Sequence, residues 1–320
     1  MKSEIPTPTK KQKILKAVKA AFLVLVFFFL VKYFVDNWDA IKQLDIKPAW
    51  GVFAGSMLLY FAYKLTLASL WHYITKTAGA GIGYADAVTA YLYSILGKYI
   101  PGKVFMLAAR IPAYERNGVP ARKVAVCFLL ENVCTLLGAG FLFLISLLFF
   151  PNELLSDYGP AVILLIILFF ICIHPKIINF FLKLIGKIIK KQDMELPFKY
   201  TDMLKIVTLF IGNWLIVGTG FYLLVSSIYQ LPANQLLYVG GVYGLSAIIG
   251  IISIFAPSGI GVREGVMILG LGLIMPNEYA VIIGVVSRLW ATVAELILVL
   301  GGFVAEKIRT GKKKNSNDHN

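Results

Sequence analysis

Of the 320 residues, 58% are hydrophobic and only 15% are charged. Soluble domains run about 45–50% apolar and about 25% charged, so this balance excludes a water-soluble globule and predicts an integral membrane protein. The formal charge of +14 is concentrated in four runs (1–19, 110–123, 176–202 and 307–314) that hold 21 of the 31 lysines and arginines. Each run abuts an apolar stretch, as cytoplasmic loops do under the positive-inside rule. Anionic lipid headgroups, rather than nucleic acid, are the partner this pattern implies.

In chain order, the first apolar run predicts a span over 17–35. It follows a basic arm but precedes no small-residue cleavage site, so it reads as an uncleaved first span. A second span is predicted over 48–70. The next apolar segment, 85–112, is interrupted by the proline-glycine break IPGKV (Ile100 to Val104). Spans over 124–150 and 160–174 follow. The stretch KIINFFLKLIGKIIKK (Lys176 to Lys191) sets lysines at helical spacing opposite Ile, Leu and Phe. It suits an amphipathic helix on the cytoplasmic leaflet, or equally a helix extension that snorkels its lysines. A span over 204–228 leads to a second interrupted segment, 237–275, broken at APSGIGVRE (Ala256 to Glu264). The last span is predicted over 279–303, and a polar, disordered tail over 311–320.

The connections after the first and third spans are acidic (Asp36, Asp39, Asp45; Glu153, Asp157), which places them outside and the basic runs inside. Segment 85–112 then enters and leaves on the cytoplasmic side, and 237–275 enters and leaves on the outer side. The expected fold is an all-α membrane protein with about six full spans and two re-entrant broken-helix hairpins in an inverted repeat. The halves are about 14–150 and 158–306, and 176–202 forms a cytoplasmic linker. Such repeats with broken helices are a recurring transporter plan; two full spans with proline kinks are the alternative. Gly240 and Gly244 have GxxxG spacing, which permits close helix packing.

Charge within apolar segments is costly and marks function by default. The candidates are Lys98, Lys103, Glu131, Arg263, Glu264, Arg288 and Glu295. Each also has a structural explanation. Glu264 can cap the half-helix that begins beside it, Arg288 and Glu295 can pair with neighbours, and Glu131 can carry a proton or partner a basic residue. Unpaired N–H groups after Ser258 and Gly259 would suit an anion, with Gly259 and Gly261 admitting a phosphate to the backbone. Lys98, Lys103 and Arg263 would add charge, and Glu131 and Glu295 would suit an amine or a coupling proton. Tyr91, Tyr93, Tyr99 and Trp290 would flank a lipid or anchor at the interface. Cys127, Cys134 and Cys172 read as small buried hydrophobes. No Walker-type loop, HExxH or Cys/His spacing points to a nucleotide, metal or other cofactor.

The runs GKYIPGKV, followed by Arg110, and APSGIGVREG, followed by Arg288, resemble a flippase-like membrane-domain family. That family includes the transmembrane part of lysylphosphatidylglycerol synthetases, and the resemblance extends from the first span to about Phe303. It implies movement of aminoacylated phosphatidylglycerol between leaflets. The motif positions that carry over are Lys98, Pro101, Gly102, Lys103, Arg110, Pro257, Gly259, Gly261, Arg263, Glu264 and Arg288. In bifunctional relatives a C-terminal soluble domain attaches an aminoacyl group taken from charged tRNA. With the sequence ending at Asn320, that domain is expected to be absent and the chain alone is expected not to be an enzyme.

The expectation is therefore a multi-pass plasma-membrane protein with both termini cytoplasmic, translocating an anionic or aminoacylated phospholipid. A component of a phosphatidylglycerol lysyltransferase and an accessory subunit in envelope lipid or polyprenyl-glycan assembly are the competing expectations. Either would imply a separate synthetase or glycan-lipid enzyme as partner.

Overall fold

The computed structural model describes residues 47–99, 104–149, 154–188, 198–253, 259 and 261–317. Among them are ten α-helices, two short 3-10 turns and no strand. The predicted span over 17–35 lies outside the described residues, as do Pro101, Gly102, Lys103 and Pro257.

Helix α1 (Trp50–Thr77) is the second predicted span. Two short helices, α2 (Tyr84–Ser94) and α3 (Val104–Glu115), flank the first break, and a 3-10 turn over Ile95–Tyr99 ends the first arm. At 1.5 Å per residue these arms are about 17 Å long, too short to cross a hydrocarbon core of about 30 Å. Helix α4 (Ala121–Leu148) is the next predicted span, and α5 (Leu154–Cys172) carries Pro160 within it. The lysine-studded stretch forms a strongly amphipathic α6 (Pro175–Ile188). Helix α7 (Tyr200–Ser226) matches the predicted span over 204–228. The second interrupted segment divides into α8 (Leu236–Ile252) and α9 (Val262–Leu271), and α10 (Asn277–Asn317) closes the chain.

Among the described residues, five helices are long and apolar enough to cross a membrane: α1, α4, α7, α10, and α8 with the 3-10 turn before it. Helix α5 contributes a shorter apolar run, Gly159–Ile171. Large apolar side chains also face outward, among them Leu58 and Leu65 on α1, Leu164 and Leu168 on α5, and Leu296 and Leu300 on α10. Exposed apolar surface on that scale belongs against lipid. The protein is a multi-pass, all-helical membrane protein.

The core is aromatic and lies where four long helices meet. Tyr60 of α1 sits 4.5 Å from Trp290 of α10, and Phe221 of α7 sits 4.6 Å from Tyr243 of α8. Several packings in one part of the bundle have a counterpart in the other. Helix α1 lies along α7. The arm α8 packs on α4, and the arm α2 packs on α10; within the broken segments, α2 lies on α3 and α8 on α9.

The GxxxG spacing is used for close packing. A Cβ at Gly240 would come within 3.2 Å of the Gly218 Cα on α7, and one at Gly244 within 3.1 Å of the Ala139 carbonyl on α4. Backbones in contact at such crossings gain dispersion where lipid offers no hydrophobic drive to association. Gly97 serves the same end in the first broken segment, where its missing Cβ lets the 3-10 turn abut the backbone of Met106.

Contacts at the helix ends define the two ends of the bundle. The Ala49 N–H bonds the Ser227 carbonyl at 2.9 Å, and Tyr229 lies 4.9 Å from Tyr279 at the start of α10. At the opposite end, Tyr84 bonds Ser69 (2.8 Å), Tyr114 lies 3.3 Å from the Thr75 hydroxyl, and Lys123 reaches the Gly79 carbonyl. Arg309 of α10 pairs with Asp86 of α2 at this same end.

Candidate functional site

Among the described residues, three ionic groups are buried in the bundle. The first is sealed. Arg110 on α3 is 0% exposed and Glu131 on α4 is 5% exposed. The guanidinium grips both carboxylate oxygens and donates from Nε to the Ser94 hydroxyl at 2.9 Å. Its Cζ lies 4.2 Å from the Trp71 ring centre, 4.4 Å from Tyr91 and 5.2 Å from Phe128. A bidentate pair inside an aromatic cage is a strong tie between elements. Here it fastens α3 to α4 and to the end of α2. Glu131 was expected either to carry a proton or to partner a basic residue; it partners Arg110.

The second group centres on Glu295, near the middle of the apolar part of α10. The Tyr60 hydroxyl donates to its Oε1 at 3.0 Å, and the Lys64 ammonium sits 2.8 Å from the same oxygen. Lys98, from the 3-10 turn, engages Oε2. Lys64 stands halfway along α1. A lone cation there would cost about 2.5–3.5 kcal/mol in a bilayer. Glu295 offsets that cost and ties the first broken segment to the last helix. Lys64 was not among the sequence candidates, although it is the one charged residue between Lys47 and His72.

The third group surrounds the second break. Gly259 (φ +68°) and Gly261 (φ +81°) hold left-handed backbone, which a side chain would strain. The Gly261 N–H donates to Glu264 Oε2 at 2.6 Å, so Glu264 caps α9 as expected. Its Oε1 lies 3.6 Å from Arg288 on α10. The Arg263 stem fills the space left by Gly250 and Gly259, where a Cβ on Gly259 would meet the Gly250 Cα at 2.8 Å. These glycines therefore make room for Arg263, and the Gly261 N–H is already engaged rather than open to an anion. The Arg263 guanidinium lies over the Tyr243 ring at 5.2 Å, and its buried Nε has no hydrogen-bond partner among the described residues.

The second and third groups meet at a narrow cleft lined by Lys98, Arg263, Glu264, Ser287, Arg288 and Thr292. It holds about one water-sized sphere, so anything larger enters only when its walls part. Among the described residues, the cleft and the adjoining Glu295 group hold four cations (Lys64, Lys98, Arg263, Arg288) and two carboxylates (Glu264, Glu295).

The sequence candidates thus divide. Lys98, Arg263, Glu264, Arg288 and Glu295 converge, with Gly259 and Gly261 framing Arg263. Arg110 and Glu131 do not line the cleft. Pro101, Gly102, Lys103 and Pro257 lie outside the described residues. Of the aromatics, Trp290 packs beside Tyr60 and Tyr91 cages Arg110, whereas Tyr93 stacks on Phe303 and bonds Glu306.

A bundle of apolar helices with interrupted helices converging on a buried, cation-rich cleft defines a polytopic membrane protein with an internal ionic site. No curated protein matches the chain. The profile of the lysylphosphatidylglycerol synthase TM region matches residues 16–299, and the chain belongs to that family.

Proposed function

We propose that this protein is flippase-like and moves a phospholipid with an anionic or aminoacylated headgroup across the plasma membrane. The meeting of cations from both broken segments at one cleft carries the reading. Positive charge inside a bilayer is expensive, and a lipid phosphate is a counter-ion available there. Lys98 and Arg263 come from the two separate breaks, so a headgroup between them would feel both at once.

Packing supports the inverted arrangement that such movement needs. In the first broken segment, α2 begins and α3 ends at the Thr75–Gly79 end of the bundle. In the second, α8 begins at the other end, and α9 returns there with the Gly270 carbonyl bonded to Tyr238 at 2.8 Å. Two re-entrant hairpins from opposite faces account for this, and rocking of one half against the other would open the cleft to each leaflet in turn. Basic termini on the cytoplasmic side complete the topology.

The test is headgroup movement in liposomes carrying the purified chain and fluorescent phosphatidylglycerol. Wild type is expected to expose inner-leaflet lipid to an outside quencher. Arg263→Gln and Lys98→Gln are each expected to reduce the rate at least about tenfold, the effect of losing one charge-assisted bond. Unchanged rates in both variants would overturn the reading. The family's name favours a second reading, a component of lysylphosphatidylglycerol synthesis; it requires that lipids from expressing and deleted cells differ in headgroup chemistry and not only in sidedness.

A further inference from the structure

Glu295 holds an ammonium on each of its oxygens, and only one of the two lysines reaches the cleft. Lys64 and the Tyr60 hydroxyl share Oε1, at 2.8 and 3.0 Å, while Lys98 takes Oε2. The Lys64 ammonium also faces the Tyr60 and Tyr63 rings, 5.5 and 5.2 Å from their centres. Its position is therefore set by side chains of its own helix. Lys98 comes from the 3-10 turn of the first broken segment and lines the cleft, whereas Glu295 and Lys64 stand behind it. The carboxylate can part with Lys98 and still keep an ammonium and a hydroxyl donor. Were Lys64 absent, the same step would take both of these ammonium groups from a buried carboxylate, which is strongly unfavourable.

The cleft between Lys98 and Arg263 holds about one water-sized sphere, and a phosphate is larger. It enters only if the walls part. The Lys98–Glu295 pair is one of the contacts that hold them together, because it joins the first broken segment to α10. A lysine ammonium is a point charge on a flexible stem, so it can change partners without demanding a fixed geometry. We infer that Glu295 is an internal stand-in for the substrate's phosphate. It holds Lys98 before a headgroup arrives, yields it to the incoming phosphodiester, and takes it back to release the headgroup. The inference rests on the cleft being a headgroup site. Lys98 passes from carboxylate to phosphate while Lys64 and Tyr60 stay on Glu295, so neither side of the exchange loses its counter-charge. Glu295, Lys64 and Tyr60 are positioning residues that act on the lipid through Lys98.

The experiment uses the purified full chain in neutral detergent and isothermal titration calorimetry. The probes are dihexanoyl-phosphatidylglycerol and, as a headgroup without acyl chains, glycerol 3-phosphate. The main variant combines Lys64→Met with Glu295→Gln. It removes one charge of each sign, so the net charge beside the cleft is unchanged, and replacing both members of a buried pair is tolerated far better than removing one. The exchange predicts that this double variant binds the lipid at least about tenfold more tightly than wild type, the gain from deleting a close competitor for Lys98. In a Lys98→Gln background the same two substitutions are expected to alter affinity by less than about threefold, because the contested ammonium is gone. Tyr60→Phe changes no charge and little volume. It takes a donor from Glu295, tightens the carboxylate's hold on Lys98, and is expected to weaken lipid binding by about threefold. Unchanged or weaker binding in the double variant would overturn the exchange, as would an equal gain in the Lys98→Gln background or tighter binding in Tyr60→Phe. A glycerol 3-phosphate affinity equal to that of the lipid would overturn the assignment of the phosphate to a lipid.

Exchange and translocation fail separately. Movement of lipid in wild-type liposomes, with equal affinities in wild type and the double variant, sinks the exchange and leaves translocation standing. The expected order of affinities with no lipid moved by wild type sinks translocation and leaves the exchange standing. No measurable binding by any form would overturn the headgroup site and the exchange with it.

Discussion

Glu131 and Glu264 are carboxylates of similar burial with different consequences. Glu131 shares a cage with Arg110 and three aromatic rings, so its removal leaves a guanidinium fully enclosed with no counter-charge. Breaking a buried pair from one side costs about 3–5 kcal/mol, whereas replacing both partners by apolar groups of similar volume is close to neutral. Glu131→Ala is therefore expected to lower the unfolding midpoint sharply, and Arg110→Met with Glu131→Leu to recover most of the loss. Denaturant titration in detergent checks both, and a double variant as unstable as the single would refute the clasp. At this scale the sequence was informative about which residues are ionised in apolar surroundings and silent about their pairing. Arg110 and Glu131 are 21 residues apart and Tyr60 and Glu295 are 235 apart; no local pattern records such distances. Lys64 is legible as a lone charge in an apolar run, but nothing local to it records that Glu295 is its partner.

Elements follow from local chemistry more directly. Proline lacks the N–H a helix needs and glycine tolerates reversed backbone, which is why both breaks were placed within a few residues from sequence. The two broken segments nevertheless differ. Neither arm of the first can cross a bilayer, whereas α8 is long enough with its preceding turn, a difference of arm length that breaks of similar composition do not announce. Helix crossings were less legible still, because a glycine at an interface and a glycine facing lipid look alike in one sequence. Gly244 and Gly212 make the contrast. A side chain at Gly244 meets the Ala139 carbonyl, and one at Gly212, mid-way along α7, meets nothing within 4 Å. Gly244→Leu is expected to destabilise by about 1–3 kcal/mol through overpacking. Gly212→Ala is expected to be neutral, or to gain up to about 1 kcal/mol from helix propensity. Unfolding titrations that gave the two substitutions the same sign would contradict the assigned crossings.

On the scale of the whole molecule, the two ends of the bundle carry different charge, and that difference makes a prediction about sidedness. The turn after α3 exposes Arg116, and Arg122 and Lys123 are exposed just beyond it. The segment joining α9 to α10, Gly272 to Pro276, carries no charge and lies at the end where Tyr229 meets Tyr279. The positive-inside rule predicts the first turn in the cytoplasm and the second outside. Asn117 and Pro276 are both exposed, so single cysteines there report each side. In a background with Cys127, Cys134 and Cys172 replaced by alanine, Asn117→Cys is expected to react with a membrane-impermeant maleimide only after cells are permeabilised, and Pro276→Cys in intact cells. Labelling of both from the same side would mean that the broken segments do not enter from opposite faces. A headgroup site reached alternately from the two leaflets would then have no structural basis, because alternation requires the two halves to be inverted with respect to each other.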